Sequence, residues 1–342
     1  MAATAGARPR WRRGWAPAAL GVLVILQLAA AGVGAAGAAV GQEGRNQAPA
    51  AATARPSPPA PAPAPETTAT STAPAAPAPT PATPPGLAAA PAAVPPGPGL
   101  VEVLHLAAPG QSGLRDVWVY RPDVPDSSSL PVVYFLHGVP GSAADVFNAG
   151  LAPVLDREIA AGAAPFVVAA PDGNGTRHDD TEWANAADGS DQIESFVTKV
   201  VIPTVEGDHP RDQAQRAIAG FSMGGYGAMN IALRHRDLFG QVAAIAGYFH
   251  IDDPAHMFGR DAAVESANRP FDHVDRAAGL RILLIDGDHD TEPVVAGETQ
   301  RFASALAGKG VAAEVDIVPG GHNWRMVASQ FPTLVRFVER GW

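Results

Sequence analysis

The chain has no cysteine among its 342 residues. A disulfide framework, a thiol nucleophile and cysteine-ligated metal sites are therefore excluded. The absence says nothing about compartment, because many exported proteins lack cysteine. No cluster of Lys and Arg grips a phosphate backbone, so nothing points to a nucleic-acid partner. Formal net charge is −10, which favours solubility and leaves the fold open. The stretch Trp15–Gln42 has no charge at all. It follows Arg8, Arg10, Arg12 and Arg13, and its most apolar part is Leu20–Leu28. A basic end before an apolar run reads as an export segment. Small residues at Gly34–Ala39 offer cleavage sites, and an uncleaved stretch is long enough to anchor in a bilayer. Residues 1–42 are thus expected to be a signal peptide or a signal anchor, with no other membrane contact.

Residues 43–99 are rich in Ala and Pro and hold half of the chain's 34 prolines. Such a composition cannot bury a core and favours extended backbone. It is read as a disordered spacer. Residues 100–342 have the mixed composition of one sizeable globular domain.

Within that domain, short apolar runs alternate with amphipathic stretches. Strands are expected at Val101–Leu106, Asp116–Tyr120, Val132–Leu136, Phe166–Ala170, Arg216–Phe221, Gln241–Ala246, Arg281–Ile285 and Glu314–Val318. Helices are expected at Gln192–Val205, Gly225–Leu233, Ala296–Ala307 and Val327–Val338. The first two strands read as an antiparallel pair. The rest imply a mostly parallel, doubly wound sheet, with ligands at the carboxyl ends of its strands.

At one such end stands Gly220-Phe221-Ser222-Met223-Gly224. In a glycine-rich chain the pentapeptide alone is a weak signal. Its place between a strand and a helix is where a serine becomes a nucleophile. A hydroxyl needs a base, and His322 in Pro319-Gly320-Gly321-His322-Asn323-Trp324 is the best candidate. The base needs a carboxylate to fix its tautomer. Asp290 is favoured, with Asp288 and then Glu292 in reserve. The order Ser, Asp, His is that of α/β-hydrolases. The rival reading of Asp286, Asp288 and Asp290 as a calcium loop fails, because Thr291 and Gly297 stand where its glycine and glutamate belong.

An oxyanion would find donors in the backbone N–H of Met223 and in the loop His137-Gly138-Val139-Pro140-Gly141. There Val139 is favoured over Gly138, and His137 is expected to buttress the loop. Candidate substrate-wall residues are Trp183, Tyr226, Phe249, Met257, Phe258 and Trp324, with Trp183 and Trp324 preferred for binding. The polar clusters His178–Asp180 and His250–Asp253 read as solvated loops, so no metal and no cofactor is expected.

Several segments together resemble the esterase branch of the α/β-hydrolase superfamily. They are Leu136-His137-Gly138, Pro171-Asp172-Gly173, Trp183, Glu194–Val197, Ala219–Ala228, His235–Gly240, Gly287–Asp290 and Gly320–Trp324. That branch includes esterase-D-type S-formylglutathione hydrolases, feruloyl and enterochelin esterases, and the mycolyltransferases. The resemblance spans nearly all of residues 100–342. It implies the α/β-hydrolase fold, a Ser222–Asp290–His322 triad and oxyanion donors near Val139 and Met223. Mycolyltransferases use a glutamate as the acid, whereas Gly-x-x-Asp here fits the esterases. The cysteine frequent in formylglutathione hydrolases is missing. Tyr248–Arg276 is too short and polar for a lipid-chain tunnel. The expected activity is hydrolysis of a small-molecule, glycan or lipid ester by an exported serine esterase. The alternative is acyl transfer to a sugar hydroxyl with the same triad. A binding module that keeps the fold without catalysis is the third reading. Oligomeric state is left open.

Overall fold

The computed structural model describes residues 97–253 and 255–342. The expected export segment and almost all of the expected spacer lie outside the described residues. Among the described residues, no helix is long and apolar enough to cross a membrane.

The strands are β1 (Leu100–Ala107), β2 (Leu114–Arg121), β3 (Val132–Leu136), β4 (Val167–Pro171), β5 (Arg216–Phe221), β6 (Gln241–Ile245), β7 (Arg281–Gly287) and β8 (Glu314–Val318). They form one sheet in the order β1-β2-β4-β3-β5-β6-β7-β8. β2 runs antiparallel to both β1 and β4, and the other neighbours are parallel.

The helices are α1 (Asp145–Asn148), α2 (Leu151–Ala160), α3 (Ile193–Phe196), α4 (Ile202–Glu206), α5 (Met223–Arg234), α6 (Ala262–Ala267), α7 (Glu298–Gly308), α8 (Trp324–Ser329) and α9 (Phe331–Glu339). A wide π turn, Val197–Val201, joins α3 to α4. The periodicity predicts one regular helix here. Pro203 has no N–H to continue an α-helical ladder, and the wide turn precedes it. The last predicted helix is likewise two. Asn323 caps α8 by accepting from the N–H groups of Arg325 and Met326, and Pro332 opens α9.

Alternate residues of the central strands feed two cores. Val132, Tyr134 and Leu136 of β3 pack with Ile193, Phe196, Met229 and Phe302. Val133 and Phe135 pack with Leu155, Phe331 and Phe337 on the other face. Each such fully buried side chain contributes roughly 1.5–3 kcal/mol of transfer free energy. β3, β4, β5 and β6 are buried along their whole length, as strands covered on both faces must be.

Register decides what meets at the carboxyl edge. Leu136 pairs with Gly220, Phe221 with Ile245, and Gly287 with Val318. The chain therefore leaves β3, β5, β7 and β8 along the same edge.

Candidate active site

Ser222 lies between β5 and α5 with φ 59° and ψ −122°. A residue with a side chain adopts such a backbone only where its surroundings impose it. A Cβ on Gly220 would strike the Gly224 carbonyl, and one on Gly224 would strike the Leu136 carbonyl. The two glycines thus let the turn close against β3. Ser222 N–H donates to Ile245 O at 2.9 Å, which ties the turn to β6.

His322 arrives from the loop after β8. Its Nε2 is 2.8 Å from Ser222 Oγ, and its Nδ1 is 2.7 Å from Asp290 Oδ2. The ring leans on Phe221, with centroids 4.8 Å apart. The Asp290 side chain is 2% exposed and that of His322 21%. The charge is thus shielded while the imidazole edge stays accessible. Asp288 turns away, and its Oδ1 accepts the Gly320 N–H at 2.9 Å. Glu292 is exposed. Of the three candidate acids, the fold brings only Asp290 to His322.

Two further bonds lock the loops together. Asp288 N–H donates to Val318 O, and His289 N–H to Gly320 O, each at 2.8 Å. Asp286, considered in the sequence only as part of a calcium loop, is a buried carboxyl at the end of β7. Burial first, and Asp290 second, push it up to about 6.

Gly138 lies against Ser222, and a Cβ there would sit 3.1 Å from Ser222 Cβ. Val139 follows and is 37% exposed. Its N–H has no acceptor among the described residues. Met223 is the first residue of α5, so its N–H has no partner within the helix. The Met223 N–H thus follows Ser222 directly in the chain, and the Val139 N–H belongs to the residue after Gly138, which packs against Ser222.

The expected substrate wall needs correction. Trp183, Tyr226, Phe249, Met257 and Phe258 are all at most 1% exposed. Trp183 packs beneath the 137–141 loop, where its Nε1 donates to His137 O at 3.0 Å. Such an indole has no face left for a ligand. Trp324 differs. It is half-buried, stands edge-on to Phe221 at 5.2 Å, and lines an open cavity of about 380 Å³ with Pro140, Asp145, Asn148 and Ala149.

The two polar clusters are also less solvated than their composition suggests. Asp191 is fully buried and accepts from the N–H groups of Thr176, Arg177 and His178. Burial alone would raise its carboxyl, but these bonds hold it well below the usual range. His250 pairs with Glu298 at 2.8 Å. Burial opposes the charge on Glu298, yet His250, the Phe249 N–H and Arg301 bring it down to about 2. Among the described residues, no three His, Asp or Glu side chains are arranged to hold a metal ion.

Residues 112–338 match the family described as Putative esterase. This chain belongs to that family. Esterase Rv1288 of Mycobacterium tuberculosis is 26% identical over 231 residues, covering 58% of this chain and 49% of the relative. The chain thus spans about half the length of the curated relatives it matches. A ferulic acid esterase structure shares 25% identity at a TM-score of 0.63, covering 71% of this chain and 99% of that one. An S-formylglutathione hydrolase from Agrobacterium tumefaciens shares 21% at a TM-score of 0.62, covering 71% and 95%. Mycobacterium tuberculosis MPT51 shares 19% at 0.55, covering 71% and 98%. These likenesses carry the α/β-hydrolase fold.

Proposed function

We propose that the chain is an exported serine esterase that hydrolyses carboxylic esters through an acyl-enzyme on Ser222. The observation that carries this reading is the unbroken chain of contacts from Ser222 Oγ through His322 to the shielded Asp290. In the proposed reaction Ser222 Oγ attacks the ester carbonyl as His322 Nε2 takes its proton. Asp290 keeps the Nδ1–H tautomer and stabilises the imidazolium. The tetrahedral oxyanion receives hydrogen bonds from the Met223 and Val139 N–H groups, each worth about 3–4 kcal/mol. His322 returns the proton to the departing alcohol. A water, activated by the same imidazole, then releases the acid.

Trp324 and its cavity are the proposed substrate wall. The acid, an aspartate, and the short polar stretch Tyr248–Arg276 support a small or medium acyl group over a lipid chain. The basic residues before Trp15–Gln42 support export, and we propose that the catalytic domain works in or beyond the cell envelope.

The full chain should turn over short p-nitrophenyl esters and label with a fluorophosphonate. Ser222→Ala should lose both, and His322→Ala should lose the labelling. Equal turnover by wild type and Ser222→Ala would sink the mechanism, and absence of any serine-dependent turnover would favour a binding module. Acylated sugar formed when trehalose accompanies the ester would favour acyl transfer to a hydroxyl.

A further inference from the structure

We propose that His137 and Trp183 are positioning residues that lock the Gly138–Val139 peptide and so aim the Val139 N–H at the reacting carbonyl. The proposal rests on the esterase reading above. A backbone donor stabilises an oxyanion only if its peptide plane is held before the reaction begins. Val139 lies outside every strand and helix and is partly exposed. Strand or helix bonds therefore do not orient its N–H.

The preceding carbonyl provides the missing constraint. In a trans peptide the C=O of one residue and the N–H of the next point in opposite directions. Holding Gly138 O on one side therefore holds Val139 N–H on the other. Gly138 O lies 2.8 Å from His137 Nδ1. The other ring nitrogen, Nε2, accepts the Gly173 N–H at 2.9 Å. An acceptor carries no proton, so the proton sits on Nδ1, which donates to Gly138 O. The imidazole, 2% exposed, thus spans the gap between the loop after β4 and the candidate oxyanion loop.

Trp183 holds this imidazole and its backbone. The indole meets the His137 ring edge-on, centroids 5.0 Å apart, and its Nε1–H donates to His137 O at 3.0 Å. Glu182 and Trp183 both have φ 50°, left-handed backbone that residues with side chains seldom adopt. The turn is pinned on its other side by Tyr248, whose hydroxyl donates to the buried Glu182 carboxyl group at 2.6 Å. Its geometry delivers the indole under the loop. Gly141 closes the arrangement, because a Cβ there would strike Gly138 O. The carbonyls of His137 and Gly138 are both tied inward, and Gly138 itself rests on Ser222.

The test uses the full chain with p-nitrophenyl butyrate and a trifluoromethyl ketone, whose adduct with a serine carries the same oxyanion. Trp183→Phe keeps a ring in the slot and removes the donor. His137→Phe removes both ring nitrogens, and His137→Gln restores one donor and one acceptor. The first two variants should lose roughly 10²-fold in kcat with KM within about threefold, the scale of a lost oxyanion donor. Ketone affinity should fall by the same factor, and His137→Gln should recover part of both. Circular dichroism and melting confirm that each variant assayed is folded. If His137→Phe does not fold, Trp183→Phe and His137→Gln carry the comparison. Folded variants with unchanged kcat, or with kcat lost while ketone affinity stays, would overturn the proposal. A wild type without Ser222-dependent turnover would instead overturn the esterase reading beneath it.

Discussion

Three carboxylates stand within five residues of one another after β7, and His322 selects among them by distance. Asp290 reaches Nδ1 at 2.7 Å, whereas Asp288 is spent on Gly320 N–H. Asp290→Asn should therefore lower kcat by about 10³- to 10⁴-fold, because an amide favours the wrong tautomer. Asp288→Asn should cost less than tenfold. Steady-state kinetics on the two variants decide the matter, and a reversed order would reject Asp290 as the acid. Asp286 yields a pH prediction. Its ordinary pKa of 3.8 is raised to about 6 in the fold, by burial and then by Asp290. The fold thus prefers the neutral acid, and ionisation costs stability. That cost is absent below about pH 4 and complete above about pH 6. Relative to wild type, Asp286→Asn should gain about 1–3 kcal/mol on going from pH 4 to pH 7. Urea unfolding at both pH values measures it, and a difference that does not change with pH would refute it.

Among the elements, the elbow between β5 and α5 tolerates least change. Its two glycines each face a carbonyl oxygen, Gly220 that of Gly224 and Gly224 that of Leu136. Gly224→Ala should destabilise the domain by about 1–3 kcal/mol, as overpacking does. It should also abolish fluorophosphonate labelling, since relief of the clash would move Ser222. A melting scan beside a labelling gel tests both, and undiminished labelling would show the turn to be looser than this geometry implies. These elements were legible because their signals are local. β3, β5 and β8 have the bounds their apolar runs predict. The helices over 193–206 and 324–339 broke where prolines remove an N–H, a detail that apolar periodicity averages away. α1, α2 and α6 were not anticipated.

In the molecule as a whole, a buried ion-pair cluster and the candidate active site occupy opposite edges of the sheet. Arg216 begins β5, and Ser222 follows its end. At the amino edge the Arg216 guanidinium grips Glu206 through Nε at 2.6 Å and Nη2 at 2.9 Å. Tyr134 and the Arg211 N–H complete the coordination of that carboxylate. Glu206→Ala would leave Arg216 buried and unpaired, at a cost of about 3–5 kcal/mol. The folded remainder should keep wild-type kcat/KM. Chemical denaturation with active-site titration distinguishes the two effects, and a proportionate loss of activity per folded molecule would show coupling across the sheet.

Sequence alone determined the α/β alternation, the strand–turn–helix around Ser222 and the candidacy of His322. Each depends on residues within about ten positions of one another, where backbone sterics and periodicity act directly. Tertiary structure decided which carboxylate meets His322, because that depends on how the loops after β7 and β8 dock. It also decided that Trp183 lies under the 137–141 loop instead of on a substrate wall, while Trp324 borders the open cavity. An aromatic side chain looks the same in sequence whether it is packed or exposed. Only the convergence of loops from β3, β4 and β6 buried one and left the other accessible.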